Sequence, residues 1–276
     1  MATYEAEFSS FADYVGYCKD TERAKDWQLF RSSDKDKAED SWDLGAGYEG
    51  AFDLAYTGWR EGCERFAGKI MDAYITGKVE SLQPMDNYEA SVAGFQVLMG
   101  AVMTGCPANM LNVEEGGGYV PSPAVTINIG LGFSCTAIAD HIANWGAAIC
   151  LLIQELESKN RPVRLNLVSY QKSSTSKDAT KITIQLKRAG EPMDIDKMAF
   201  AIAHPASLRR IWFKWLETTE APRKNFINYG IPYTAPEVQI PAITTADKGD
   251  QSKHCTNMDD AIAKVRELWE TSQEAK

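Results

Sequence analysis

Polar and apolar positions alternate with a period of two from Ala124 to Leu131. Val125, Ile127 and Ile129 are apolar, Thr126 and Asn128 polar, and Pro123 with the glycines Gly130 and Gly132 bounds the run. This is the pattern of a half-buried strand. The period then lengthens: Ile138, Ile142, Trp145, Ile149, Leu152 and Leu156 fall on one helical stripe. Ala139, Ala143, Gly146, Ala147 and Ala148 widen it with small side chains that let a helix sit close to a sheet. Ser134 or Thr136 can cap its start, and Lys159-Asn160 ends it ahead of Pro162. Alternation returns through Val163, Leu165 and Leu167 to Tyr170. Two strands joined by so long a helix are expected to run parallel with a right-handed crossover.

The rest of the chain supplies elements on either side of this unit. Phe11, Tyr14, Val15 and Cys18 predict a short helix. A polar charged run from Arg31 to Asp40 then reads as a solvated connection. A helix from about Glu49 to Thr57 stops at Gly58, and a second carries Trp59, Cys63, Phe66, Ile70 and Ala73 on one face. Tyr88 to Val92 reads as a strand and Gln96 to Met103 as a short helix. Ile182, Ile184 and Leu186 form a further strand, followed by helices at Asp194–Ala203 and Pro205–Leu216 broken at His204-Pro205. Residues 219–256 form a long, weakly periodic connection with one strand, Val238 to Ile243. Thr256-Asn-Met-Asp259 is a capping box for a last helix bearing Ile262, Val265 and Trp269. The expected fold is α/β, a three-layer arrangement of a mostly parallel sheet with helices on both faces. A mainly helical region over 1–112 packs on a core over 113–276.

In such sheets ligands sit outside the carboxyl ends of the strands, which here means Asn128 to Thr136. The strand, glycine turn and helix resemble the von Willebrand factor A fold, a Rossmannoid fold whose first strand ends in Asp-x-Ser-x-Ser and holds a divalent metal. On that pattern this chain offers Asn128, Gly130 and Gly132, so the anionic ligand and both hydroxyls are missing and a degenerate metal site is implied. Gly130-Leu-Gly132 followed by Cys135 also approaches a dinucleotide turn. It lacks the third glycine, and Ser169-Tyr170-Gln171 stands where a ribose-binding acid belongs. The polar stretch Lys172 to Lys181, with Ser173, Ser174 and Lys177, leaves the end of the second strand and can close over the same place, or serve only as a solvent loop. Cys135 and His141 are six residues apart on or near one helix, a spacing that does not bring a nucleophile and its base face to face.

Composition narrows the choice. The 276 residues are 44% hydrophobic and 24% charged, ordinary for a globular protein. A net charge of −9 argues against nonspecific grip on a phosphate backbone. No window approaches the ~20 apolar residues of a membrane span, and the start Met-Ala-Thr-Tyr-Glu-Ala-Glu-Phe lacks a signal-peptide pattern, so a cytoplasmic location is expected. The six cysteines are far apart and His141, His204 and His254 lack metal-ligand spacing, so neither a metal nor a cofactor is expected.

Phe8 and Phe11, Trp42 and Gly45, Gly58-Trp59-Arg60-Glu61-Gly62, the strand Val125 to Gly130 and the helix Gly146 to Leu156 follow one another as in an uncharacterised family of bacteriophage proteins, which the chain resembles. The resemblance implies a phage origin and carries no activity. The function expected is a non-catalytic adaptor that binds another phage or host protein through Asn128, Gly130, Gly132, Ser134, Ser173, Ser174 and Lys177. The alternative is a single-stranded nucleic-acid accessory factor in replication or transcription. It would use Arg209, Arg210, Trp212 and Lys214, where basic and aromatic residues interleave on a helix.

Overall fold

The computed structural model describes residues 3–23, 32–33, 43–75, 88–92, 96–97, 102–108, 110–113, 123–131, 139–172, 179–218, 233–243 and 254–274. The strand–helix–strand unit is present: β5 (Val125–Gly130), α4 (Ala139–Ser158) and β6 (Val163–Lys172). β5 and β6 are parallel, with Ile127 opposite Leu165 and Ile129 opposite Leu167. Asn160 ends α4 in the left-handed region at φ 58, which lets the Arg161 N–H reach back to the Leu156 carbonyl at 3.0 Å.

Two further strands complete a sheet in the order β1-β7-β6-β5. β7 (Ala179–Lys187) runs antiparallel to β6, and β1 (Thr3–Phe8) parallel to β7. The fold is α/β as expected, and its sheet is mixed. The reason is the short link between Lys172 and Ala179. A parallel crossover needs a dozen or more residues, so the chain can only turn back on itself. β1 follows the period-two pattern of Tyr4, Ala6 and Phe8 against Glu5 and Glu7, a signal obscured by its place at the start of the sequence.

Around the sheet lie α1 (Phe11–Asp20), α2 (Gly47–Thr57), α3 (Arg60–Ile75), α5 (Ile195–Ala203), a π-helical turn (Ser207–Trp212) continuing into α6 (Phe213–Thr218), and α7 (Met258–Glu274). A small antiparallel sheet pairs β4 (Met110–Val113) with both β2 (Tyr88–Ser91) and β3 (Gln96–Val97), so the expected helix at Gln96 begins as a strand. α1 buries Phe11, Tyr14, Val15 and Cys18 as its spacing demands. At the α2–α3 corner Gly58 takes φ 88. A Cβ there would meet the Asp196 Cβ at 2.5 Å, and the next N–H, of Trp59, donates to the Asp196 carbonyl. α7 is capped one residue later than the sequence box suggests: Asn257 Oδ1 accepts from the Asp260 N–H, and Asn257 Nδ2 donates to the Asp260 carboxylate.

The two faces of the large sheet differ. Ile127, Ile129, Leu165, Leu167, Ile182 and Ile184 join one hydrophobic core with residues of the helices. The other face carries Asn128, Asn166, Thr183, Glu7 and Lys181, the last bridging Glu5 at 3.2 Å and Glu237 at 3.1 Å. A second, small cluster of Val168, Ala235 and Val238 with Tyr170 sits there. Among the described residues, the helices of the core therefore cover one face, where layers on both had been expected. No helix among them is long and apolar enough to cross a membrane.

The segment after His204 also departs from expectation. Its interleaved pattern of aromatic and basic residues predicts an amphipathic helix, yet Arg209, Arg210 and Lys214 are all buried. Arg210 is 1% exposed and holds Asp43 through Nε at 2.7 Å and Nη2 at 2.5 Å, while its Nη1 donates to the Ser32 carbonyl at 3.0 Å. Removing one partner of such a pair strands a buried charge. Arg210→Ala is expected to cost about 3–5 kcal/mol of folding stability, measured by urea denaturation, with Arg60→Ala on the exposed surface of α3 as a near-neutral control.

Candidate functional site

At the carboxyl end of β5 the structure brings in the chain's own segment 233–243. Tyr233 pairs with Tyr170 at the end of β6, and Ile240 pairs in parallel with Ile129 on the outer side of β5, so the segment crosses the strand end. Asn128 is its anchor. The Asn128 N–H donates to Gln239 Oε1 at 2.6 Å, Asn128 Nδ2 donates to the Glu237 carbonyl at 3.1 Å, and Asn128 Oδ1 accepts from Asn166 Nδ2 at 2.9 Å. The Gln239 N–H returns to the Asn128 carbonyl at 3.0 Å, and the Gly130 N–H donates to the Ile240 carbonyl at 2.8 Å. A Cβ on Gly130 would lie 2.6 Å from the Ala242 nitrogen, so the close approach requires glycine. The Asn128 side chain and the Gly130 N–H, which the sequence offered to a partner here, are engaged within the chain. Of the other residues expected at this site, Gly132, Ser134, Ser173, Ser174 and Lys177 lie outside the described residues.

The residues of the nucleic-acid alternative come together inside the helical layer. Arg210 is committed to Asp43 and Ser32, and Lys214, 4% exposed, donates to the Thr21 carbonyl, with burial and then Arg23 holding its pKa below the ordinary lysine value. Trp212 is 1% exposed and Arg209 7%. Stacking bases need an open ring face and phosphates an open cation, and this helix presents neither.

Next to them is His204, which the sequence left unassigned. It packs edge-on against Trp59, with ring centroids 4.7 Å apart, and stacks on Phe200 at 5.2 Å, while its Nδ1 accepts from the Ala206 N–H at 3.1 Å. Burial pushes its pKa down to about 4, against a smaller upward pull from Asp43. It is a neutral acceptor that closes the break between α5 and the π turn. The buried thiols of Cys18 and Cys150 are likewise driven upward by desolvation, Cys150 to about 12, and so are poor nucleophiles.

An open cleft lies instead at the carboxyl ends of the parallel pair β1 and β7. It encloses about 270 Å³ between the starts of α1 and α5 and is lined by Ser9, Ser10, Gln185, Arg188, Glu191 and Lys197 among others. Each helix begins with its own cap: Ser10 Oγ accepts from the Asp13 N–H and Asp194 Oδ1 from the Lys197 N–H. Ser9 Oγ donates to Asp13 at 2.5 Å, and the hydrogen bonds from Ser9 and Ser10 hold that carboxyl below its ordinary pKa, with Arg188 adding a smaller pull. Lys197 reaches Asp194 at 3.0 Å, while the Arg188 main chain donates to Glu191 and its side chain extends into solvent. The local signals were present in sequence, a strand pattern followed by a capping residue in both places. That the two strand ends adjoin was not.

The family model of a domain of unknown function, DUF7192, matches residues 2–266. The chain belongs to this family. No curated protein and no solved structure matches it. In this DUF7192 chain the matched span includes both the segment latched over β5 and the β1–β7 cleft.

Two outcomes are expected. Gly130→Ala should lower stability by about 1–3 kcal/mol through overpacking and expose the 233–243 segment to faster cleavage in limited proteolysis. For His204, both states are neutral above the ordinary imidazole value of 6.5, so its contribution is fully present there. As pH falls, the unfolded chain takes the proton first. Stability should therefore drop by up to about 1.4 kcal/mol per pH unit between 6.5 and about 4. His204→Asn, which keeps an acceptor for Ala206, should flatten that slope in urea unfolding curves collected across the window.

Proposed function

We propose that this protein is a non-catalytic adaptor that docks a segment of another protein in the cleft at the carboxyl ends of β1 and β7. The observation that carries the reading is the convergence of two parallel strand ends and two helix starts on one open cleft. Its lining carries cations at Arg188 and Lys197 and anions at Glu191 and Asp194, the last paired with Lys197 at 3.0 Å. Side chains of both signs on a rigid frame suit a polar peptide better than a nucleic-acid backbone, which asks for one sign. The reading keeps the strand-end position expected of an α/β binding surface, moved from β5, where the chain covers itself, to the opposite edge of the sheet. A bacteriophage setting, and a degenerate von Willebrand factor A-like origin for β5, α4 and β6, belong to the same proposal and rest on the sequence resemblances.

The test is affinity purification of the tagged chain from infected host cells, with and without nuclease, alongside the Arg188→Glu/Lys197→Glu variant. A stoichiometric protein partner should survive nuclease and fall roughly tenfold in the variant, with the variant's melting temperature unchanged. Recovery that ignores the charge reversal, or that collapses with nuclease, would overturn the reading.

A further inference from the structure

Where α3, the start of α4 and the start of α7 meet lies a second cleft of about 330 Å³, lined by Lys69, Asp72, Asp140, Asn144, Thr256 and Asn257. The residues come in helical pairs. Lys69 and Asp72 are three apart on α3, and Asp140 and Asn144 four apart in the first two turns of α4, so each pair shares a face. Thr256 and Asn257 supply the chain entering α7.

Asn144 gives this place a meaning that two aspartates alone would lack. It is 3% exposed, and its Nδ2 donates to the Cys255 carbonyl at 2.8 Å, which fixes the orientation of the amide. Among the described residues, its Oδ1 then has no hydrogen-bond partner. A buried amide oxygen left unpaired costs about 1–3 kcal/mol. Buried polar groups without a partner point to something that fills the gap. The group that satisfies it must be a donor or a cation, because an amide oxygen can only accept, and the Asp72 and Asp140 carboxylates line the same cleft.

We propose that the cleft binds a hard divalent cation of the Mg²⁺ or Ca²⁺ class, held by the Asp72 and Asp140 carboxylates and the Asn144 amide oxygen, with the Thr256 region and water completing the shell. Among the described residues no group of three or more His, Cys, Asp or Glu converges, so the site rests on two carboxylates and neutral oxygens, donors that suit a hard cation and not a zinc-type ion. One or two carboxylates supplemented by neutral oxygens and water is the usual protein share of a Mg²⁺ shell, and Ca²⁺ accepts the same donors in looser geometry. Lys69 is the competing charge in the cleft, so it tempers affinity. The Asn257 side chain is committed to Asp260 and stays in its capping role. Bound there, a cation ties α3, α4 and α7 together and satisfies the orphan oxygen.

The full chain is titrated with MgCl₂ and with CaCl₂ at ionic strength held constant by NaCl, reading binding heat and melting temperature. One saturable site with Kd on the order of 10⁻⁴–10⁻³ M is expected, with a rise in melting temperature that NaCl does not reproduce. Asp140→Asn, an exposed change that leaves the core intact, should weaken it about tenfold or more, and Lys69→Met should tighten it. Asn144→Asp should be destabilised in the absence of the cation and regain stability with it. Glu64→Gln, on an exposed side chain of α3 away from the cleft, should change nothing. Absence of saturable binding by either cation, or equal weakening by Glu64→Gln and Asp140→Asn, would overturn the proposal and leave diffuse surface charge or a bound water as the answer.

Discussion

A buried ion pair fixes how the helical layer is assembled. Arg210 sits on the π-helical turn with almost no solvent contact, and its guanidinium is shared between Asp43 and the Ser32 carbonyl. Asp43 in turn accepts the Gly45 and Gly47 N–H groups at 3.1 Å each, setting the entry into α2. About two helical turns on, Glu217 accepts from the Ser32 N–H and hydroxyl and from Arg23. Two charges of opposite sign on one helical segment thus hold residues 23, 32 and 43, far away in sequence, at one place. Desolvating such charges is expensive, and the network is tolerable because nearly every donor and acceptor in it is answered. Its worth lies in registration: an apolar contact would tolerate sliding, whereas a guanidinium held on a carboxylate and a carbonyl does not.

The same economy governs the sheet. One face is aliphatic and receives the helices, while the other is amide- and hydroxyl-rich and receives the 233–243 segment through backbone and Asn128 hydrogen bonds. Covering the carboxyl end of β5 with its own chain satisfies strand-edge groups that would otherwise be open to pairing. It also leaves the edge where β1 and β7 end together as the open strand end. Antiparallel return from β6 to β7 is what allows this, since it sends the carboxyl end of β7 toward the side opposite that of β5 and β6. The fold therefore separates a closed strand end from an open one.

The sequence by itself determined the elements whose cause is local. The β5–α4–β6 unit, the face of α1, the stop at Gly58, the break at His204 and the last helix all follow from periodicity, glycine conformation and capping, which act over a few residues. The antiparallel return into β7 went unread, although the six residues between Lys172 and Ala179 are too few for a parallel crossover. Tertiary structure alone decided what lies beside what. Arg210 and Lys214 show the same interleaved pattern whether they face solvent or a buried carboxylate, and only the arrival of Asp43 and Thr21 decides which. Asn128 reads as a free polar group until residues 237–240 fold over it, and Ser9 and Arg188 share a cleft only because β1 pairs with a strand far along the chain. Patterning records whether a residue is polar. The partner that satisfies it is set by contacts between distant segments, which no local period encodes.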